Sequence, residues 1–229
     1  MTARFLLGSS YFHGGHANRE AFARIWNWNN QRLDMMPSRT VIVAEAGSIP
    51  PIRSAEADVI HLSGDLGHIG SHLNGSVNYE FTGWSASMCA LAMLAYTDCS
   101  DFIYKEEDCL AFGPWVERMY ADMGDRDFVF GHAMRSAPHQ LCSQSLFLVR
   151  HRFIPTMVSE YLALGKDGHV NNTGENKFYK IEQKYGSRRV ARLTFGVDRE
   201  RPIHWEAPVF YAQQWSDAEL DEAKRRGLI

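Results

Sequence analysis

The stretch "GWSASMCALAMLAYTDCSDFIYKEED", residues 83–108, limits the fold more than any other part of the chain. Trp84, Met88, Leu91 and Ala95 recur at intervals of four, three and four, and Ala86, Ala90 and Met93 fill neighbouring positions. That spacing predicts a mostly buried helix, rich enough in alanine for its backbone to approach a sheet. A turn follows, and then Phe102, Ile103 and Tyr104 read as a buried strand. The strand runs straight into Lys105, Glu106, Glu107 and Asp108 before Cys109, Leu110, Ala111 and Phe112 restore an apolar run, broken at Gly113 and Pro114. Acids placed between two apolar runs, where a buried strand ends, need a physical reason.

The rest of the chain repeats the alternation of short apolar strand and helix. Phe5, Leu6 and Leu7 read as a central strand followed by Gly8, Ser9 and Ser10. A helical pattern through Ala21, Ile25 and Trp28 comes next, with Asn18 placed to cap it and Glu20 in its first turn. A second strand runs from Thr40 to Glu45, and a third spans 57–63. Gly64, Gly67, Gly70 and Gly75 then form a loop that suits either close backbone approach to a ligand or an ordinary surface. Further on, 114–123 reads as a helix, 127–132 as a strand, and the run from Cys142 as a strand leading into a helix with Pro155 near its start. "GENKFYKIEQKYG" reads as a helix stopped by Gly186, "VARLTFG" as a strand and "DAELDEAKRRG" as an amphipathic helix. The pattern predicts a three-layer α/β sandwich with a mostly parallel central sheet. In such sheets ligands gather beyond the carboxyl ends of the strands. No internal repeat or low-complexity linker is present, so residues 1–229 read as one domain.

Composition closes off several classes. The formal net charge of −3 carries no long block of one sign, which argues against a nucleic-acid partner. Lys224, Arg225 and Arg226 read as a solvated helix face or a membrane-surface contact. Cys89, Cys99, Cys109 and Cys142 form no C-x-x-C pair and no zinc framework, as expected for free thiols in a reducing compartment. The first residues are too polar for a signal peptide, and no run approaches the ~18 apolar residues of a spanning helix. The expected location is cytoplasmic or peripheral to a membrane, without a transmembrane segment.

Three carboxylates within three residues repel one another, and a cation is the usual remedy. Glu106 and Asp108, at i and i+2, can supply carboxylates to one side of an extended turn while Glu107 points away. Mg²⁺ is commonly bound in this way, through one or two carboxylates and substrate phosphate oxygens. The alternative is a solvated turn with Asp108 as a helix cap.

The ordered set "EAGS" at 45–48, "GHIG" at 67–70 and the helix–strand–acid unit at 83–108 resembles the nucleotide-sugar-dependent glycosyltransferases of the A-type fold (GT-A, family 2-like). The likeness covers roughly residues 4–190. It implies a nucleotide-binding half over about 1–113 and an acceptor-side half over about 114–229. Carried over residue by residue, Ser9 and Ser10 belong to the first nucleotide loop, Glu45 is the acid near base or ribose, and Gly70 belongs to the glycine loop. Glu106 and Asp108 correspond to the metal and diphosphate motif, with glutamate in place of its first aspartate, and His204 is the late histidine that completes the metal site, with His169 as runner-up. Glu175 stands where the family places the base that deprotonates the acceptor, although Asn176 replaces the usual neighbouring acid.

The implied activity is transfer of a sugar from a nucleoside-diphosphate sugar to a hydroxyl of a carbohydrate or glycoconjugate, with Mn²⁺ or Mg²⁺ assisting diphosphate departure. Inverting and retaining outcomes both stay open. Trp84 reads as a packing residue or a sugar-stacking face, and Arg135 as a phosphate contact. Two other readings compete: a non-catalytic nucleotide-sugar or glycan-binding protein of the same fold, and a nucleotidyltransferase. The absence of lysine and arginine from "GSSYFHGG" speaks against the second.

Overall fold

The structure is a computed structural model and describes residues 4–12, 18–45, 47–53, 55–64, 66, 81–132, 142–167, 172–195 and 201–228. Strand β1 (Phe5–Tyr11) is buried along nearly its whole length. A strand that hides both faces must be covered on both sides. It pairs in parallel with β2 (Arg39–Ala44) and β4 (Asp101–Lys105), and β2 pairs in parallel with β3 (Asp58–His61). Beyond β4 lie β7 (Cys142–Val149), β6 (Phe128–His132) and β8 (Val190–Arg192), giving a seven-stranded sheet in the order β3-β2-β1-β4-β7-β6-β8.

The helices cover the two faces. Leu6, Val43, Phe102 and Tyr104 point to one side, against Met88 and Leu91 of α2 (Gly83–Thr97), Met157 and Tyr161 of α4 (Ile154–Ala163) and Phe178 of α5 (Gly174–Tyr185). Phe5, Leu7, Ile42 and Ile103 point to the other, against Trp26 of α1 (Arg19–Asn30) and Trp115 and Met119 of α3 (Trp115–Met123). This period-two division within β1 and β4 makes the three layers. The expected α/β sandwich with a mostly parallel sheet is observed.

Two features were not foreseen. Strand β7 runs antiparallel to both β4 and β6, although strand direction leaves no mark on hydrophobic periodicity. A separate two-stranded ribbon pairs β5 (Cys109–Phe112) with β9 (Phe210–Gln213), about a hundred residues away. Its apolar side packs Phe112, Phe210 and Trp215 against Leu220 of α6 (Asp217–Arg225). The expected cap at Asn18 is corrected: Asn18 itself has helical backbone angles (φ −84°, ψ −12°) and its side chain makes no capping bond. A capping residue ordinarily needs an extended backbone to reach back, as Thr82 has before α2.

Helices α2 and α5 are tied together at their first turns by a buried ion pair. Lys177 Nζ donates to Asp167 Oδ1 and to the Gly165 carbonyl, each at 2.7 Å, and lies over the rings of Tyr161 (4.5 Å) and Phe81 (4.8 Å). The other carboxylate oxygen of Asp167 accepts from the Thr82 backbone N–H (2.8 Å) and hydroxyl (3.1 Å). Burial pulls the Lys177 ammonium below its usual range, and Asp167 opposes that pull. Removing one partner strands the other charge. Asp167→Ala is therefore expected to lower unfolding free energy in urea by about 3–5 kcal/mol; a loss under about 1 kcal/mol contradicts the pairing.

Candidate functional site

The acids after β4 sit in a turn, as expected, and it is a tight one. Cys109 N–H donates to the Glu106 carbonyl at 3.0 Å, closing a β-turn with Glu107 and Asp108 at its centre, and Glu106 N–H donates to the Ser145 carbonyl of β7 at 2.8 Å. The turn is buried, with Glu107 and Asp108 each 6% exposed. The solvated-turn alternative is thereby set aside.

Helix α1 braces this turn. Trp26 Nε1 donates to the Lys105 carbonyl at 3.0 Å. Asn29 Oδ1 accepts from Lys105 Nζ (2.6 Å) and the Ala111 N–H (3.3 Å), while its amide donates to the Ala111 carbonyl (2.8 Å). Arg19 donates to Glu107 Oε1. From the opposite side of the chain, the Gln213 amide donates to Glu106 Oε2 and to Asp108 Oδ1, the latter at 2.9 Å. One amide nitrogen thus bridges the i and i+2 carboxylates, while Glu107 is taken up by α1. Arg19 and Gln213 were missed in the sequence. Neither belongs to a motif, and Gln213 reaches the turn only through the β5–β9 pairing.

Electrostatics follow from burial. Desolvation pushes the Glu107 carboxyl up to about 8, against the pull of Arg19. Desolvation also pulls Lys105, which has no exposed surface and lies between the Trp26 and Trp115 rings (5.5 and 5.4 Å), down to about 7.

The other candidates lie around the same edge or beside it. Ser9 is 1% exposed, and the Ser10 hydroxyl shares a 2.6 Å hydrogen bond with the Tyr104 hydroxyl. Glu45, 4% exposed, packs its carboxylate against the first turn of α2, where a Cβ on Gly83 would come within 1.5 Å of it. Any side chain at position 83 would require the Glu45 carboxylate to move, and the helix N-terminus favours the negative charge where it lies. Glu175 is in the first turn of α5, its carbonyl accepting from the Cys142 thiol at 2.8 Å. A Cβ on the preceding Gly174 would meet Gln144 Oε1 at 2.0 Å and the Trp84 ring at 2.9 Å, so α5 starts in close contact with β7 and α2. Trp84 packs against Tyr104, Tyr161 and Phe178, with ring centroids at 5.4, 6.4 and 6.1 Å.

His204 is exposed and lines a cavity of about 440 Å³ together with His132, Arg118 and Tyr211. The described residues contain no group of three His, Cys, Asp or Glu placed to hold a metal ion, so Glu106, Asp108 and His204 do not form such a triad among them. Gly70, His169 and Arg135 lie outside the described residues. Among the described residues no helix is long and apolar enough to cross a membrane.

Lys105 generates a pH prediction. Its pKa falls from 10.5 unfolded to about 7 folded, so the folded state loses its proton first, and wild-type stability relative to Lys105→Met rises as pH climbs through that window. Urea titrations should show that difference growing by on the order of 4 kcal/mol between about pH 6 and about pH 10. A flat difference contradicts the burial of a titrating amine.

No family model and no curated protein sequence matches the chain. Solved structures do. The galactosyltransferase LgtC, in complex with donor and acceptor sugar analogues, is similar at 12% identity and a TM-score of 0.52, covering 94% of this chain and 88% of LgtC. Mouse xyloside xylosyltransferase 1 is similar at 11% identity and a TM-score of 0.52, covering 93% of this chain and 98% of the other. A glycosyltransferase involved in glycosylation of the major capsid of PBCV-1 is similar at 11% identity and a TM-score of 0.55, covering 96% and 98%. The chain therefore has the A-type glycosyltransferase fold, a three-layer sandwich shared with these solved structures.

Proposed function

We propose that this protein is a glycosyltransferase that moves a sugar from a nucleoside-diphosphate sugar to a hydroxyl of a carbohydrate or glycoconjugate. The observation that carries the reading is the convergence of Glu106 and Asp108 on one amide at the carboxyl end of β4, in a fold that its structural neighbours use for sugar transfer. Two carboxylates that share one amide donor at the end of a central strand suit a divalent cation whose remaining ligands are phosphate oxygens and water. Glu106 and Asp108 would hold it, Mn²⁺ or Mg²⁺, and Gln213 would set the spacing of their oxygens. When bound, such an ion supplies charge stabilisation for the departing diphosphate.

The chain's own groups account for the rest. Transfer forms a bond between the acceptor oxygen and the anomeric carbon. The bond from that carbon to the nucleoside diphosphate breaks, and the diphosphate leaves with the electron pair. An acceptor hydroxyl is a weak nucleophile, and a carboxylate that takes its proton removes much of the barrier. Glu175, in the first turn of α5 beside β7, is assigned that role on the inverting route. Ser9, Ser10 and Glu45 lie at the carboxyl ends of β1 and β2, where the nucleotide is assigned, and the cavity holding His132 and His204 offers space for part of an acceptor.

Calorimetric titration with nucleoside diphosphates and their sugars, with and without Mn²⁺ or Mg²⁺, tests the reading. At least one diphosphate is expected to bind more tightly with metal, and Asp108→Asn to remove about tenfold or more of that gain. Unchanged affinity in Asp108→Asn overturns the metal assignment. Glu175→Gln is expected to lower kcat by about 10²-fold or more with donor affinity kept; retained kcat removes Glu175 from the base role.

A further inference from the structure

The acidic turn has a cation of its own. Arg19 opens α1, and its guanidinium reaches Glu107 through Nη1 alone. A residue serving only to neutralise Glu107 would favour the two-pronged contact that guanidinium and carboxylate geometry allow. Here the Glu107 carboxyl is also drawn on by the Phe12 backbone N–H, and its Oε2 is buried with no partner of close hydrogen-bond geometry among the described residues. A guanidinium carries five N–H donors, and Arg19 makes no other hydrogen bond to a described residue. Its side chain is 30% exposed, whereas that of Glu107 is only 8% exposed. A buried acid therefore engages one prong of the fork, while the other N–H groups of this partly exposed side chain make no hydrogen bond to a described residue. Asp108 and Glu106, the pair that Gln213 bridges, also attract its charge.

We propose that Arg19 is a diphosphate-binding residue, its unengaged N–H donors contacting the phosphate oxygens of the donor while Glu107 holds the guanidinium in place. This rests on the glycosyl-transfer reading above. It goes beyond it by giving the leaving diphosphate a positive partner built into the chain, in addition to any metal held by Glu106 and Asp108. Planar guanidinium donors match phosphate oxygens, and a pinned side chain loses less freedom on binding. Binding of the diphosphate is then expected to persist, though weakened, when metal is removed.

The test separates this role from structural pairing. Glu107→Gln removes the titratable group yet leaves an acceptor for Arg19, and Arg19→Met combined with Glu107→Gln removes the pair without stranding an acid. Uridine and guanosine diphosphates and the corresponding nucleosides are titrated into wild type and both variants, with Mn²⁺ and with EDTA, alongside melting curves. Expected is a loss of about tenfold or more in diphosphate affinity for the double variant relative to Glu107→Gln, in both conditions, with nucleoside affinity and melting temperature matched. Arg19→Lys with Glu107→Gln, which keeps charge but loses the fork, should fall between them. Equal diphosphate affinity in the double variant and Glu107→Gln overturns the assignment of Arg19 alone. Wild-type protein that binds no nucleoside diphosphate overturns both it and the reading beneath it.

Discussion

Three carboxylates at the buried end of a central strand are unfavourable unless something holds them, and much of this edge is organised around that requirement. The holding is divided. Helix α1 fixes the backbone of the turn through Trp26 and Asn29 and takes Glu107 through Arg19. The β5–β9 ribbon brings Gln213 to the other two acids. Lys105, directly before them, is buried between two tryptophans with Asn29 as its hydrogen-bond acceptor. Charges in such surroundings are worth more than in water and cost more when unmatched. An arrangement of this kind is poorly explained by stability alone, since apolar side chains in the same space would do as well or better.

The fold was legible in the sequence wherever one periodicity dominated. The alanine-rich run from Gly83 and the apolar triplet Phe102–Tyr104 predicted α2 and β4, and they are the frame on which the acids sit. The convergence of Glu106 and Asp108 on one side of a turn was also legible from their spacing, although the turn is tighter than the extended one expected. Strand direction was not legible: "CSQSLFLV" looks the same whether β7 runs with or against its neighbours. Nor was β9, whose four residues lie between tryptophans and prolines and gain their meaning only from pairing with β5. Arg19 and Gln213 escaped for the same reason, because what they touch is set by tertiary structure. His204 shows the converse, a residue suggested by family likeness that the fold places in a cavity with His132.

The structural neighbours share this architecture at identities of 11–12%, so the likeness carries the fold and not the roles of individual side chains. At position 106 a glutamate reaches the same amide as Asp108. The clamp of Lys177, Asp167 and Thr82 plays a complementary part, holding the starts of α2 and α5 together. Trp84 and Glu175 are thereby kept at the same edge as the acids.

The most direct measurement of the central claim is a crystal structure of the protein soaked with manganese and uridine or guanosine diphosphate, with data collected at the manganese absorption edge. Anomalous density between the carboxylates of Glu106 and Asp108, in contact with phosphate oxygens, is the result predicted. A nucleotide bound elsewhere on the molecule, with no cation between those two side chains, would contradict it.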